Sequence, residues 1–408
     1  MKKRGKNVSN LLDGNLHLLL DLLRANEGMT RQDLVDATVL SPSGISKLVS
    51  FLIEKGLVVE DGIVTRIKGR RAISLKLNDS TYYSIGIRLA RNYIRCGLFN
   101  LKGQLVYHIQ SKLASKKLSE TTDVLVSLVT ETLAEVERQK LTVYGVGISA
   151  PGPLSSSEGR LILTSSYPEW SGFSVKTFIE EYFGFASVIV EHDANVSVLA
   201  EKWFGKGQEC NDLVYVVADR GVGAGIYSDG IYTGYRNVAG EIGHTTIDYN
   251  GRKCECGNRG CLEMYCSSTA VLKEAQSIFE SEGPEGWKND MTIEEIGHLA
   301  SRSEPNAKRL LTKAGTFLGI GLVNIINTYN PEMIIIGDEM AKAGDVWFNA
   351  VKAAVEKRSP SEIHSGTFID ISSLPMEPAF LGTGILAINQ LFESASSFVP
   401  VDKAIVAN

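Results

Sequence analysis

Hydrophobic positions open the chain at helical spacing. The stretch LLDGNLHLLLDLLR, residues 11–24, repeats leucine at intervals that predict a first helix with one face turned to a core. Thr30, with Asp33 three positions later, forms a capping-box pair and predicts a second helix carrying Leu34, Val35 and Ala37. After Thr38-Val39-Leu40, Ser41-Pro42 reads as an N-cap followed by proline in the first helical position. This third helix should run to about Lys55 and stop at Gly56. Its apolar set, Ile45, Leu48, Val49, Leu52 and Ile53, leaves Ser43, Ser46, Lys47 and Ser50 exposed. Leu57–Glu60, the pair Asp61-Gly62 and Ile63–Thr65 then predict strand, tight turn and strand.

From Tyr82 the pattern changes to short apolar strands and glycine-bearing turns. Tyr82–Ile109, with a turn near Asn100–Gly103, and Leu213–Thr233, with a turn near Ser228–Gly230, share one plan of strand, turn, strand and turn. The repetition predicts two related lobes, each a sheet covered by helices. Further strands are expected at Val143–Ile148, Val188–Val190 and Met333–Ile336, and Asp193 should open a helix ending at Gly205. Ser281–Asn306 reads as a polar helical surface excursion, Leu318–Asn330 as an apolar helix, and Ala379–Phe392 as a last helix packing back on the first lobe.

Helix, helix-turn-helix and hairpin make a winged helix-turn-helix over residues 1–78. The small polar and basic residues Ser41, Ser43, Ser46, Lys47 and Ser50 are what a helix entering the major groove presents. Lys68, Arg70 and Arg71 follow the wing, within reach of phosphates or the minor groove. The same helices would also suit a protein-interaction module. Charge is compatible with DNA, and by itself equally with a solvated charged face: residues 1–80 hold 13 Lys and Arg against 9 Asp and Glu, leaving 29 against 38 in the rest. A basic block on an acidic body points to a polyanion for that block alone. Otherwise 44% hydrophobic and 22% charged residues describe an ordinary globular chain. No apolar run is long enough to span a membrane, and residues 1–12 lack the apolar core of a secretory signal, so a cytoplasmic protein is expected.

The densest chemistry lies in EIGHTTIDYNGRKCECGNRGCLE, residues 241–263. His244, Cys254, Cys256 and Cys261 offer one imidazole and three thiols at a spacing that suits a closed tetrahedral zinc site. Scattered free thiols are the alternative, and a disulfide does not suit a reducing compartment. Cys96, Cys210 and Cys266 read as small apolar residues. Glu241 and Glu263 bracket the loop. His244 could bind metal through one nitrogen and offer the other to a ligand hydroxyl, while the carboxylates accept from hydroxyls. The expectation is a metal-braced sugar pocket.

The pattern E-x-x-H followed by C-x-C-G-x-x-G-C-x-E resembles the zinc signature of the ROK family of bacterial sugar kinases and sugar-responsive repressors. The resemblance implies that His244, Cys254, Cys256 and Cys261 hold zinc, and that Glu241, His244 and Glu263 line the sugar site. Residues 29–77, with Gly69-Arg70-Arg71 after the wing, resemble the DNA-binding domain of the family's repressors, which its kinases lack. Pro151-Gly152-Pro153 and His192-Asp193-Ala194-Asn195 are similar to sugar-side motifs of the family, the latter with His192 where asparagine is usual. In the kinases the matching Asp is general base for the sugar hydroxyl; here Asp193 would only accept a hydrogen bond. Tyr167-Pro168-Glu169-Trp170 suits an aromatic wall equally with a buried Trp.

The nucleotide side departs from the family. Where its kinases have D-x-G-G-T, this chain has Arg88-Leu89-Ala90-Arg91-Asn92; Asp219–Gly223 replaces a G-T-G type turn, and Asp338 stands where a second glycine is usual. Side chains in place of glycine obstruct close approach of backbone to phosphate, and added acid opposes it.

The fold implied is α/β: an N-terminal winged helix-turn-helix, then a two-lobed actin-like (ribonuclease H-like) body. The lobes are expected at 79–192, completed by the helix at 379–395, and at 193–378, with 396–408 a loose tail. The function implied is a non-enzymatic repressor of carbohydrate genes, homodimeric or of higher order, on an inverted-repeat operator, answering to a sugar at His192, Asp193, Glu241, His244 and Glu263. A ROK-type sugar kinase with an added DNA-binding domain is the alternative.

Overall fold

The computed structural model describes residues 8–65, 71–115, 117–162, 168–235, 237–282 and 287–398. Its first elements are α1 (Val8–Ala25), α2 (Arg31–Ala37) and α3 (Pro42–Glu54). The capping box on α2 is complete: Thr30 Oγ1 accepts from the Asp33 amide, and the Asp33 carboxylate accepts from the Thr30 amide at 2.8 Å. Ser41 Oγ accepts from the Gly44 amide at the start of α3, with Pro42 in the first turn. Each cap supplies a partner to amide groups that the helix itself leaves unsatisfied.

The wing differs from expectation. Strand β1 (Val58–Thr65) is continuous through Asp61-Gly62, and pairs antiparallel with β2 (Arg71–Leu77). The register shifts between Glu60 and Ile63, and Gly62 has φ of 88°, so this pair makes a bulge rather than a turn. The connection between β1 and β2 is therefore 66–70, and Lys68 and Arg70 lie outside the described residues. Leu16, Leu19, Leu20, Leu34, Ile45, Val49, Leu52 and Leu75 are fully buried between these elements.

Next come β3 (Tyr82–Leu89), β4 (Tyr93–Asn100), β5 (Leu105–Lys112), α4 (Leu118–Gln139), β6 (Thr142–Ala150), the short β7 (Leu154–Ser155) and β8 (Arg160–Leu161), α5 (Val175–Phe183), β9 (Val188–His192) and α6 (Asp193–Phe204). They are followed by β10 (Asp212–Ala218), β11 (Val222–Ser228), α7 (Glu263–Cys266), α8 (Ser268–Glu282), α9 (Ile293–Ser301), α10 (Pro305–Tyr329), β12 (Met333–Gly337), α11 (Asp345–Arg358), α12 (Ser361–His364), β13 (Phe368–Ile371) and α13 (Pro378–Glu393).

Two sheets share one topology. The first runs β5-β4-β3-β6-β9 and the second β11-β10-β12-β13. In each, an antiparallel hairpin (β3/β4, β10/β11) is extended by parallel strands on the side of its first strand. Just after β11 the described residues make an isolated bridge between Tyr227 and Ile231, and the second sheet, as described, ends at β11 without a counterpart of β5. Helices α6 and α13 pack on each other, α13 against β3 and β6 and α6 against β10 and β11. A Cβ at Gly382 would collide with the Val196 carbonyl, so glycine permits their close approach.

The second core is built on α10, of which only the more apolar C-terminal half is legible in sequence. By length and composition α10 could cross a membrane, but Leu310, Leu311, Leu318, Leu322, Ile325 and Ile326 are buried in the second core. Helix α9 also contributes Ile293, Ile296 and Ala300 to that core, so the polar excursion has a buried face. The residues expected to begin a loose tail are placed. The Ser396 amide donates to Asp13 Oδ1 at 2.8 Å, Lys55 Nζ donates to the Phe398 carbonyl at 2.7 Å, and the Phe398 ring meets Tyr82 edge-on at 5.0 Å.

Candidate functional site

His244 ends a short 3-10 turn after Glu241, while Cys254, Cys256 and Cys261 lie on the loop that returns to α7. Isolated bridges Thr246–Cys261 and Lys253–Arg259 fold that loop on itself. At its turn Gly260 has φ of 68°, and a Cβ there would collide with the Asp248 carbonyl. The four ligand atoms lie within 4.8 Å of one another, with His244 Nδ1 to Cys254 Sγ and Cys256 Sγ to Cys261 Sγ both 3.7 Å. A tetrahedron with metal–sulfur bonds of about 2.3 Å has edges of about 3.8 Å, so this set fits a metal ion. Asn258 Nδ2 sits 3.4 Å from Cys261 Sγ, a donor that would steady a thiolate.

The imidazole of His244 faces two ways. Nδ1 is beside Cys254 and 3.4 Å from Glu263 Oε1, whereas Nε2 is 4.0 Å from Glu241 Oε2. The Nδ1 edge thus faces Cys254 together with Glu263, whose Oε1 is 3.1 Å from Cys254 Sγ, and the Nε2 edge faces Glu241. Glu241 leads on to His192: Gly152 lies between them, a Cβ on it standing 3.4 Å from Glu241 Oε1 and colliding with His192. His192 Nε2 is in turn 3.5 Å from Asp193 Oδ1. On the other side, a Cβ at Gly221 would be 3.3 Å from Glu263 Oε2, and one at Gly223 3.7 Å from His192 Cε1. His192, Asp193, Glu241, His244 and Glu263 are therefore brought to one region by the end of β9, the start of α6, the 3-10 turn that follows β11 and the start of α7 after the cysteine loop. Carboxylates and imidazoles so arranged can accept several hydroxyl donors at once.

Beside Asp193 sits Arg88, at the end of β3. Its Nη2 is 3.1 Å from Asp193 Oδ2 and its Nε 2.9 Å from Glu377 Oε1. Arg88 is only 8% exposed, and its Nη1 is buried without a hydrogen-bond partner among the described residues. Tyr93 Oη donates to Glu377 Oε2, and Arg95 Nη1 lies 3.8 Å from the same oxygen. Burial works against the charge on Arg88, but Glu377 and Asp193 hold its pKa above the usual value. Burial likewise opposes ionisation of Asp193, yet His192, Arg88 and Arg91 keep its carboxyl below the usual range.

The other two departures from the kinase pattern meet here too. Burial, then the negative charges of Asp219 and Glu377, push Asp338 up to about 8. Burial, then the hydrogen bond and charge of Glu339, raise Asp219 to about 6. Tyr215 Oη donates to Asp338 Oδ2 at 3.1 Å. Asp338 also has φ of 70° and ψ of −150°, a conformation that glycine adopts readily and other residues at a cost. The surroundings of Arg88, Asp219 and Asp338 are thus crowded with carboxylate and filled by a guanidinium.

Sequence reasoning missed three residues. Glu377, the N-cap of α13, ties that helix to Arg88, and an acid just before Pro378 was the available signal. Tyr93 gave none. Glu191 is 7% exposed and accepts from the His192 amide at 2.7 Å, Asn195 Nδ2 at 3.0 Å and Ser156 Oγ at 2.9 Å, fixing the start of α6. Trp170 is fully buried in the core of the first sheet, so it forms no aromatic wall; Tyr167 lies outside the described residues. On α3, Ser41, Ser43, Ser46, Lys47 and Ser50 are all exposed, as is Arg71 at the start of β2.

The chain is 30% identical over 380 residues to the xylose repressor of Bacillus subtilis (strain 168), covering 93% of this chain and 96% of that protein. It is 27% identical over 337 residues to the DNA-binding transcriptional dual regulator NagC of Escherichia coli (strain K12), covering 81% and 82%. The crystal structure of a ROK family transcriptional regulator, a homologue of the E. coli MLC protein, superposes with TM-score 0.82 at 25% identity over 94% of this chain and 97% of its own. A ROK family glucokinase from Streptomyces griseus shares the fold of the body alone, with TM-score 0.66 at 21% identity over 74% of this chain and 98% of its own. With the ROK family model matched over residues 84–390, and its repressors aligned along almost the whole length, this chain belongs to the ROK family.

Proposed function

We infer that this protein is a sugar-responsive transcriptional repressor whose body has given up phosphoryl transfer. The observation that carries the reading is the pairing of Arg88 with Asp193, in a chain that also exposes a recognition helix. A general base needs a carboxylate free to take a proton, and this one is held ionised and bonded by a guanidinium. A nucleotide triphosphate would also meet Asp219 and Glu377, whose negative charge repels it, and a phosphate placed beside them would add to the charge that already keeps Asp338 protonated. The same carboxylate remains able to accept a hydrogen bond from a sugar hydroxyl.

In this reading His192, Asp193, Glu241, His244 and Glu263 bind a monosaccharide, and xylose is the first to test because four relatives are named for it, one of them as putative. Zinc fills His244, Cys254, Cys256 and Cys261 and fixes the direction of the glutamates; three thiols and one imidazole favour it over harder ions. Ser41, Ser43, Ser46, Lys47 and Ser50 face base edges, and Lys68, Arg70 and Arg71 face phosphate. A homodimer in the cytoplasm places two such modules on an inverted repeat. The ROK kinase structures favour a second reading, residual sugar phosphorylation, only through the shared fold of the body.

The test is a titration of the intact protein with duplex from the region upstream of its own gene, with and without D-xylose, D-glucose or N-acetyl-D-glucosamine. Operator affinity above that for random duplex, changed by one of the sugars, supports the reading. Binding no tighter than to random duplex under every condition overturns it.

A further inference from the structure

One guanidinium holds the first turns of two helices. Asp193 is the first residue of α6 and Glu377 the N-cap of α13, and Arg88 bonds both at 3.1 and 2.9 Å. These helices run side by side in the same direction. Near their starts Gly382 meets the Val196 carbonyl; near their ends the rings of Trp203 and Phe392 lie 6.5 Å apart and 27° from parallel.

The far ends bear on the DNA-binding module. The Arg24 guanidinium of α1 lies 4.2 Å over the Trp203 ring, and the His17 ring of α1 is 6.2 Å from Phe392. Leu16, Leu19, Leu20 and Leu23 of α1 share one core with Trp203, Leu391 and Phe392. From Asp193 to Trp203 the helix spans about 15 Å at roughly 1.5 Å per residue. A packed core transmits displacement instead of absorbing it.

We propose that Arg88 is a positioning residue that couples the sugar site to the DNA-binding helices, by locking α6 to α13 at the end opposite α1. This rests on the reading of Asp193 as a sugar ligand. A sugar hydroxyl that donates to Asp193 competes with Arg88 for the carboxylate, while Arg88 stays anchored on Glu377. Helix α6 is then free to shift against α13, and Trp203 carries the shift to Arg24. Two sites linked through one movable element have a coupling factor, the same in both directions.

The quantity to measure is the factor by which saturating D-xylose changes the Kd of the intact protein for duplex from its own upstream region. Sugar affinity is measured separately by calorimetry. In the wild type a factor of about 5 to 150 is expected. In Arg88→Gln it should fall to within about twofold of one while D-xylose still binds, and Arg88→Lys should recover part of it, since an ammonium keeps the charge but not the fork that reaches both carboxylates. At the other end Arg24→Gln, which touches no sugar ligand, should lower the factor at unchanged sugar affinity, and it decides the matter if Arg88→Gln does not fold. A wild-type factor in Arg24→Gln, or in a folded Arg88→Gln, with sugar still bound, overturns the coupling role alone. Absence of sugar binding and of any sugar effect on DNA in the wild type overturns the functional reading and this role together.

Discussion

Arg88 Nη2 stands 3.1 Å from Asp193 Oδ2, on the carboxylate that the family's kinases would use as base. The pair joins the end of β3 to the start of α6, and by the chain's resemblance to those kinases it puts arginine where they have the acid of that turn. Mutual neutralisation makes the pair tolerable in a buried place, and breaking it by removing one partner would leave an uncompensated charge.

Phosphoryl transfer should therefore be absent. A coupled assay with ATP and D-xylose or D-glucose is expected to show no turnover above background. Robust phosphorylation that vanishes in Asp193→Asn would establish the kinase reading instead.

The cysteine loop should carry about one zinc per chain, detected by elemental analysis of protein purified without added metal. Cys254→Ser and Cys261→Ser each remove a buried ligand, and should lose metal and sugar response together, because the loop fixes Glu241 and Glu263. Full metal content in both variants would refute the assignment.

Asp338 should make stability depend on pH. Its carboxyl titrates near about 3.9 in an unfolded chain. In the fold, burial and the charges of Asp219, Glu377 and Asp193 outweigh Arg88 and raise it to about 8. Tyr215 is the hydroxyl that faces it. Between those values the folded state holds the extra proton, so this group's contribution is lost as pH rises from about 4 to about 8. Asp338→Gly removes the acid and relieves a backbone conformation with φ of 70°. Relative to wild type, the variant's thermal midpoint should be more favourable at pH 8 than at pH 5; an equal difference at both would count against the buried charge.

Local signals carried most of the fold. Thr30 with Asp33 and Ser41 with Pro42 mark helix starts through chemistry confined to four residues, and the structure shows each bond. The His244–Cys261 set was legible because its ligands are close in sequence and of types rarely clustered otherwise. What escaped depends on distance along the chain. Glu377 reaches Arg88 from nearly three hundred residues away, and nothing local distinguishes it from any acid before a proline. Asp61-Gly62 looked like a hairpin turn because a bulge with positive φ uses the same residues. Trp170 could be read either way until its neighbours were known.

Sugar and DNA should answer to one another in this chain, and α3 offers the most direct measurement. Lys47 is exposed near the N-terminal end of that helix, among Ser43, Ser46 and Ser50. Operator binding is measured by anisotropy at two salt concentrations, with and without D-xylose, for wild type and Lys47→Ala. If Lys47 reads a base, its loss should cost about 1–3 kcal/mol on the operator and much less on random duplex. Wild-type binding should be tight on an inverted repeat and altered by sugar. Equal affinity for operator and random duplex in the wild type, unmoved by sugar, would contradict the account.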